Sequence, residues 1–400
     1  MAGSRTIVVA GAGIGGLTAA LALAAKGFRV VVLEKAERLD EIGAGLQLSP
    51  NASRILIDLG LEEELASRVI VPEAVSIMSA RTGKEIGCIP LGAPARFRYG
   101  APYWIVHRAD LQAALLARVN ENPDIDLRLG AQFEDVASYS KGVTVVQRRG
   151  NARHQDTALA LIGADGVWSA VRHQLFPKTQ PSFTGRIAWR GIVDARQLPR
   201  EFNLGRVQLW LGPNAHLVAY PVSGGRRINV VAISGGAWNR PGWNEAADAA
   251  EIQHQFDVKR WSISARMLIG AVEGWRRWAL FSLDGNDPWV SDRVALLGDA
   301  AHAMLPFVAQ GAGMAIEDAA VMADCLAATI NDPSGIPAAL ERYEAARRAR
   351  VARVQRTARR TGQIYHLGGA MAFARDTTIR ALSGAQLLSR QDWIYDWRVP

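Results

Sequence analysis

Glycines 11, 13 and 16, followed by an acid at Glu34, have the spacing that binds the pyrophosphate of a dinucleotide. The first glycine permits a tight turn, the second lets the phosphates approach the backbone, and the third lets helix and strand pack closely. The phosphates would then lie at the positive end of a helix, with Glu34 accepting hydrogen bonds from a ribose. The pattern predicts a dinucleotide site without specifying which dinucleotide, and the alternative is a glycine-rich packing turn.

Two further acids follow apolar runs. Asp165 lies in "GADGVWSAVR", which could equally be a capped helix start with Asp165 or Ser169 as the cap. Asp299 follows the run "RVALLG", and an anionic group there would stand at the carboxyl edge of a sheet, where α/β folds bind ligands. Beyond it, Gly311 and Gly313 begin another predicted helix, whose small first turn would let a flat ring lie against free backbone amides.

His216 and Tyr220 are four residues apart on a predicted strand, so their side chains share one face. A histidine near its ordinary pKa can accept a proton at neutral pH, so His216 is a candidate base. The alternative is a surface histidine and a core tyrosine. Trp189 and Arg190, on a neighbouring strand, could wall a pocket or bind a carboxylate, although Arg190 could also pair with an acid of the chain.

Three polar residues near Asp299 have simpler interpretations. His302 is expected to be a structural hydrogen-bonder rather than a catalyst. Glu317 and Asp318 are expected to cap or solvate the helix that contains them.

These residues need elements to position them. The opening "TIVVAGAGIGGLTAALALAAKGFRVVVLEKAE" has the pattern of a βαβ unit, and residues 185–235 alternate like an open antiparallel sheet rich in aromatics. "EAVSIMSARTGKEIGCIP" predicts a hairpin, residues 245–258 and 336–363 predict helices, and the tail to residue 400 is weakly patterned. Four hundred residues predict two or three cooperating domains.

The net charge of +8 comes from 40 Arg against 6 Lys, and eight of those Arg fall within residues 342–360. We expect one solvated helix face there and no nucleic-acid site, because stacking aromatics and a reading module are missing from the pattern. Two cysteines cannot form a disulfide framework or a metal cluster, which predicts no metal and fits the cytoplasm. Residues 6–25 lack charges, but their glycine pattern argues against an export signal or a membrane span.

In this order and spacing, "GAGIGG", "DGVWSAVR" and "LLGDAAH" resemble the motifs of the single-component flavoprotein aromatic hydroxylases, the FAD-dependent monooxygenases of the para-hydroxybenzoate hydroxylase fold. The resemblance covers essentially the whole chain. "FTGRIAWRG" and "HLVAYPV" are similar to the branch that holds salicylate hydroxylase, 3-hydroxybenzoate 6-hydroxylase and 6-hydroxynicotinate 3-monooxygenase.

The resemblance implies an α/β fold: a Rossmann-like FAD-binding domain with an inserted antiparallel-sheet (α+β) substrate domain and C-terminal helices. We expect residues 1–72, 101–178 and 276–330 in the FAD-binding domain, 73–100 and 179–275 in the substrate domain, and 331–400 in a helical region. The implied catalytic residues are His216 and Tyr220, and the implied substrate contacts are Gln310, Trp189 and Arg190. The implied cofactor contacts are Gly11, Gly13, Gly15, Gly16, Glu34, Lys35, Gly45, Arg108, Asp165, Asp299, Pro306, Gly311, Ala312 and Gly313.

The implied activity is hydroxylation of a small aromatic acid or phenol with NAD(P)H and O2, through a C4a-hydroperoxide of a tightly but non-covalently bound FAD. NADH is favoured over NADPH, and a monomer or homodimer without membrane attachment is expected. Three alternatives stay open at this stage: a monooxygenase of a larger heterocycle or polyketide, a non-catalytic nucleotide-binding flavoprotein, and an NAD-dependent dehydrogenase, which the Asp299 motif argues against.

Overall fold

The computed structural model describes residues 5–39, 45–199, 202, 205–238, 242–257, 259–285 and 287–400. Parts of three predictions lie outside the described residues: residues 43 and 44 of the stretch "GAGLQLSPNA", residues 200, 201, 203 and 204 of the predicted sheet at 185–235, and Val258 at the end of a predicted helix. Within them, no helix combines the length and the apolar character needed to cross a bilayer.

Strands and helices alternate up to residue 121, strands predominate from residue 125 to residue 282, and helices predominate after residue 296. The strands are β1 Thr6–Ala10, β2 Arg29–Glu34, β3 Gly45–Leu48, β4 Val69–Ile70, β5 Ala74–Ser79, β6 Glu85–Pro90, β7 Trp104–His107, β8 Ile125–Leu129, β9 Ala131–Tyr139, β10 Gly142–Arg149, β11 Ala152–Ala158, β12 Ala160–Gly163, β13 Ser182–Asp194, β14 Val207–Gly212, β15 Ala215–Val222, β16 Arg227–Gly235, β17 Asn244–Ala247, β18 Trp275–Ser282, β19 Val290–Ser291 and β20 Val294–Leu296.

The helices are α1 Ile14–Ala25, α2 Pro50–Asp58, α3 Glu62–Ala66, α4 Gly92–Tyr99, α5 Arg108–Glu121, α6 Ala170–Leu175, α7 Ala249–Gln255, α8 Ile263–Gly270, α9 Asp299–His302, α10 Gly311–Ala327, α11 Ile336–Tyr365, α12 Gly369–Arg380, α13 Gly384–Ser389 and α14 Asp392–Tyr395.

A six-stranded sheet in the order β19-β20-β12-β1-β2-β8 forms the first layer, and every neighbouring pair except β19 with β20 is parallel. Its neighbouring strands β1 and β2 are short β-branched runs that are mostly buried on both faces, as is typical of parallel strands covered by helices. Helix α1 packs against α10 and α5 beside this sheet. The predicted βαβ opening and the Rossmann-like sheet are confirmed.

An eight-stranded sheet in the order β17-β18-β13-β16-β15-β14-β5-β6 forms the second layer. It contains the predicted hairpin, β5 with β6, and its pairings are antiparallel as predicted except that of β14 with β5, which is parallel. That pairing joins segments about 130 residues apart, which local alternation cannot reveal. Strand β18 belongs to this sheet, although the predicted domain boundary assigns residues 276–282 to the cofactor domain.

Helix α11 extends two residues beyond its predicted end, and the weakly patterned tail forms three more helices, α12 to α14. The predicted helix at 245–258 is partly wrong. Its first residues pair with β18 as strand β17, and only α7 follows. The smaller sheets are β11-β10-β9 and β3-β7-β4.

Candidate functional site

The three glycine-acid motifs meet at one edge of the six-stranded sheet. β1, β12 and β20 are parallel neighbours, so the residues that follow their carboxyl ends come together there. Backbone hydrogen bonds continue past the strands, with the Ala164 amide donating to Ala10 and the Leu297 amide to Gly163. Arg172, from the second motif, donates to the Ala300 carbonyl of the third at 2.9 Å. The edge is therefore a single structural unit.

The four glycines of the first motif have different structural roles. Gly11 has a φ of +107°, and a Cβ on Gly16 would lie 1.9 Å from the Gly11 carbonyl oxygen, so both are needed for the turn itself. Gly15 lies against Leu297 and Ala315, which makes it a contact between α1 and α10. Only at Gly13 would a Cβ meet no described atom within 4 Å. Gly13 is thus the open place where a phosphate can approach the first amides of α1.

Glu34 is held beside this loop. One carboxylate oxygen accepts from the Ala12 amide and the other from the Ala36 amide, both at 2.9 Å. Lys35, the next residue, is exposed. The acid at the end of β2 therefore stands at the loop's edge, in the position from which a ribose hydroxyl can be bound.

Asp165 caps a helix, as the simpler interpretation of its motif anticipates. It accepts from the Ser169 hydroxyl at 2.5 Å and from the Ala170 amide at 2.7 Å, while Ser169 accepts from the Arg172 amide. Burial raises the pKa of Asp165, and these hydrogen bonds oppose the rise. A cofactor contact by Asp165 stays a prediction.

Asp299, in contrast, is exposed and makes no hydrogen bond or ion pair within the described residues. It follows Gly298, whose φ of +61° turns the chain at the sheet edge. The Gly298 amide donates to the Asp318 carboxylate at 3.1 Å, which fixes the turn and leaves the Asp299 carboxylate directed outwards as an unused acceptor.

The prediction that Glu317 and Asp318 are capping or solvated residues is wrong. Both are fully buried and belong to the ion cluster of α10, which we define as His302, Glu317, Asp318, Arg347 and Arg350. Its ion pairs join Arg347 to Glu317 and to Asp318 at 2.7 Å, Arg350 to Glu317 at 2.6 Å, and His302 to Asp318 at 2.5 Å. The prediction that His302 is a structural hydrogen-bonder is confirmed.

The helix after this turn, α10, begins with the small residues that were predicted to let a flat ring lie against the backbone. Pro306 begins a short 3-10 turn, Ala309 has a φ of +51°, and Gly311, Ala312 and Gly313 form the first turn of α10. Among the described residues no side chain caps this end, so the first amides of a 17-residue helix are available to an anionic ligand edge. A Cβ at Gly311 would meet no described atom within 4 Å.

FAD fits this edge. The open approach at Gly13, the acceptors Glu34 and Asp299, and the uncapped start of α10 match its pyrophosphate, its ribose and ribityl hydroxyls, and its flavin ring. When bound, FAD supplies the redox chemistry that activates O2.

One face of the eight-stranded sheet covers the start of α10. Because paired residues share a face, the register places Ala188, Ile233 and His216 together and Arg190 beside them. The His216 ring lies edge-on to Phe307, just before α10, with centroids 5.3 Å apart. Trp189 points to the opposite face, into a core with α7 and α8, where it donates to the Ser234 hydroxyl at 3.2 Å. The structure therefore brings Arg190 to the site but not Trp189.

Both predicted catalytic side chains are buried, so the alternative of a surface histidine is wrong. Burial, with help from His366 and Arg186, lowers the pKa of His216 well below its ordinary value. The histidine is therefore neutral at pH 7, yet a weaker base than predicted. Burial raises the pKa of Tyr220, whose hydroxyl donates to the Gly45 carbonyl at 2.6 Å. A neutral tyrosine that uses its proton in this way is not a base.

Gln310 is fixed by a network that sequence reasoning missed. Its amide nitrogen donates to the Ser49 hydroxyl at 2.8 Å, and its carbonyl accepts from Asn51 at 3.1 Å. Asn51 also donates to Glu317 at 2.7 Å, which connects this network to the ion cluster of α10. The motif "LSPNA" signalled a helix start, whereas its contacts with α10 depend on the tertiary fold.

Other side chains lie close to these residues. Arg108 opens α5, and its charge lies close enough to Arg190 to affect the pKa of that residue. Tyr103 donates to Gln47 at 2.9 Å, and Tyr365 and His366, at the end of α11, contact the His216 ring. Nothing in the sequence pattern marked the end of an Arg-rich helix as part of the site.

These features define a dinucleotide-binding fold in which a second, small ligand can bind between a sheet face and the edge that holds the dinucleotide. Residues 4–358 match the model of the FAD-binding-domain family. The chain is 36% identical to a 3-hydroxybenzoate 6-hydroxylase of Polaromonas naphthalenivorans, covering 98% of this chain and 96% of that protein. It is 38% identical to the 3-amino-4-hydroxybenzoate 2-monooxygenase PtnB3 of Streptomyces platensis, covering 97% and 95%.

Solved structures of similar proteins have the same fold as this chain. A salicylate hydroxylase substrate complex superimposes with a TM-score of 0.83 at 29% identity, covering 98% of this chain and 96% of that one. Klebsiella pneumoniae HpxO complexed with FAD and uric acid gives 0.83 at 26%, covering 100% and 99%. The chain belongs to the FAD-binding-domain family of flavin-dependent aromatic hydroxylases, which confirms the fold and the class of enzyme that the motifs predicted.

Proposed function

We propose that this protein hydroxylates the ring of a small hydroxybenzoate, using FAD, O2 and a nicotinamide cofactor. The observation that carries the proposal is Arg190, which lies on the site face of the sheet and has no hydrogen bond or ion pair within the described residues. Its guanidinium packs over the Trp278 ring, 5.0 Å from the centroid. Burial lowers the pKa of Arg190, and the nearby Arg108 lowers it further. A ligand carboxylate would relieve this cost.

The distance across the sheet suits a single ring. β16 lies between β13 and β15, so Arg190 and His216 stand on strands about 10 Å apart. A benzene ring that carries a carboxylate and a hydroxyl group can bridge that gap when both side chains reach inwards. Arg190 would hold the carboxylate, and His216 and Gln310 would face the ring hydroxyl. A ring with an ionised oxygen reacts better with an electrophilic oxygen, so binding that oxygen is the main task of these side chains.

The names of the relatives support this substrate class, because 3-hydroxybenzoate and 3-amino-4-hydroxybenzoate both combine a carboxylate with a ring hydroxyl. We take 3-hydroxybenzoate as the first candidate. NADH is proposed over NADPH on the family resemblance alone. The six-stranded sheet binds one dinucleotide, so NADH would visit transiently. A larger heterocycle remains the alternative substrate.

The experiment compares Arg190→Met with the wild type on ring substrates that carry a carboxylate and on one that lacks it. For 3-hydroxybenzoate, salicylate and 3-amino-4-hydroxybenzoate, we expect the KM for stimulated NADH oxidation to rise by about thirtyfold or more. 3-Hydroxybenzyl alcohol, which lacks the charge, should respond equally to both enzymes. Arg227→Met, at an exposed position on β16, is the matched control. Loss of FAD instead of substrate from Arg190→Met would identify Arg190 as a flavin contact and contradict the proposal.

A further inference from the structure

The imidazoles of His216 and His366 are in direct contact. Nδ1 of His216 lies 2.8 Å from Nε2 of His366, and the ring centroids are 5.0 Å apart. His366 follows the last residue of α11, where its carbonyl accepts from the Asn214 amide at 3.0 Å and its own amide donates to Gly362. Phe307 lies edge-on to both rings. The backbone therefore places His366 firmly beside the site.

Both rings are neutral at pH 7. Burial lowers the pKa of His366 to about 4, with contributions from Arg186 and Arg375, and the pKa of His216 is also well below its ordinary value. A neutral imidazole has one N–H donor and one acceptor nitrogen. One proton therefore lies between the two rings, and it belongs either to His366 Nε2 or to His216 Nδ1.

The surroundings of His366 decide between these arrangements. Its other nitrogen, Nδ1, is buried and has no hydrogen-bond partner within the described residues. A buried N–H without an acceptor is rarer in proteins than a buried acceptor without a donor. The groups that act on this ring are Arg186 from β13, Arg375 from α12, and the neutral rings of Phe307 and His216. Two cations favour a lone pair over a second N–H at Nδ1. The proton of His366 thus belongs on Nε2, directed at His216.

We propose that His366 is a positioning residue that holds His216 in its Nε2–H tautomer, so that His216 donates a hydrogen bond to the ring oxygen of the substrate. Within the described residues, Nε2 of His216 has no partner of its own. A nitrogen that already carries a proton cannot accept another there. His216 would therefore stabilise a bound phenolate whose proton has gone to solvent water, rather than act as the base predicted from the sequence. This inference rests on the proposed function for the identity of the ligand.

The tautomer can be measured directly on the holoenzyme by two-dimensional NMR of histidine labelled with heavy nitrogen. His216→Gln identifies the His216 signals among the seven histidines. We expect a protonated Nε2 and an unprotonated Nδ1 at His216 in the wild type, and a loss of that single state in His366→Leu. A protonated Nδ1 at His216 in the wild type would overturn the inference, whether or not the enzyme accepts hydroxybenzoates.

A binding measurement tests the consequence. The Kd of 3-hydroxybenzoate, followed by flavin absorbance, should rise about ten- to a hundredfold in His366→Leu, the loss expected for a hydrogen bond to a charged group. His366→Gln, whose amide can still donate, should restore most of the affinity. Benzoate, which lacks the ring hydroxyl, should bind both variants as it binds the wild type. An equal loss for both ligands, or none for either, would contradict a role through His216.

Discussion

Tyr220 donates its hydroxyl hydrogen to the carbonyl oxygen of Gly45 at 2.6 Å, which ties the eight-stranded sheet to the loop strand that lies over the cofactor edge. Asn229 supports the same contact by accepting from the Gly45 amide at 3.1 Å. The tyrosine predicted as a catalyst thus links the eight-stranded sheet to the small sheet β3-β7-β4.

Replacing Gly45 by alanine should disturb that contact. The new Cβ would lie 2.3 Å from Cε2 of Tyr220 and 2.9 Å from Val222, and two buried neighbours leave little room to adjust. We expect the free energy of unfolding to fall by about 1–3 kcal/mol, which is the usual effect of overpacking a core. Substrate-stimulated NADH oxidation should also fall. Urea unfolding measures the first effect. Gly270→Ala, where a Cβ meets no described atom within 4 Å, is the control and should change stability by no more than about 1 kcal/mol. Equal behaviour of the two variants would refute the close contact.

The glycine loop offers a comparison between binding and folding. Gly13→Ala should leave the apoprotein as stable as the wild type, because its Cβ enters open space, yet weaken FAD binding by about 1–3 kcal/mol through a clash with the phosphates. Gly16→Ala should destabilise even the apoprotein, since its Cβ would overlap the Gly11 carbonyl. FAD titration followed by fluorescence, beside urea unfolding of the apoprotein, separates the two cases. Normal FAD affinity in Gly13→Ala would show that the phosphates bind elsewhere.

Asp299→Ala tests the acceptor at the sheet edge. The carboxylate is exposed and unbonded in the protein alone, so its removal should change apoprotein stability by no more than about 0.5 kcal/mol. The binding of FAD should weaken by about 1.5–3 kcal/mol in free energy, the range for a hydrogen bond to a charged group. The flavin-to-protein absorbance ratio after gel filtration is the readout. A variant that purifies fully loaded would contradict a ribityl contact at Asp299.

Asp318→Asn should lower the free energy of unfolding at pH 7 by about 3–5 kcal/mol. The substitution leaves the buried Arg347 and His302 with a weaker partner and disturbs the turn before Asp299. Although burial alone would raise the pKa of Asp318, His302 and Arg347 lower it to about 2. A depressed pKa stabilises the folded state above the unfolded value of about 3.9 and loses that effect as the pH falls towards 2. Unfolding free energies of variant and wild type should therefore converge below about pH 4. A constant difference across that range would argue against an ionised Asp318.

Local sequence pattern was sufficient to predict that the three glycine-acid motifs meet at one sheet edge. Once the strands are recognised, a parallel sheet must bring the carboxyl ends of β1, β12 and β20 together. The Arg-rich helix shows where pattern fails. Arg342, Arg353, Arg356, Arg359 and Arg360 form the solvated face that was predicted, but Arg347 is fully buried and Arg350 nearly so. Their partners Glu317 and Asp318 lie on another helix, and periodicity within α11 carries no information about them.

The same reason explains what was missed at the substrate side. His216 and Tyr220 were identified by spacing and resemblance, whereas the tautomer of His216 depends on His366, 150 residues away. Trp189 and Arg190 are adjacent in sequence, so a strand directs them to opposite faces, and only the register shows which one faces the cofactor layer.

The proposed reaction inserts an oxygen atom from O2 into the ring of a hydroxybenzoate. Mass spectrometry of the product formed from 3-hydroxybenzoate and NADH under isotopically heavy oxygen gas tests it most directly. We expect a yellow, FAD-loaded protein that yields a dihydroxybenzoate carrying a single heavy oxygen atom on the ring. A product whose new oxygen comes from water, or the absence of hydroxylated product from any hydroxybenzoate tested, would contradict it.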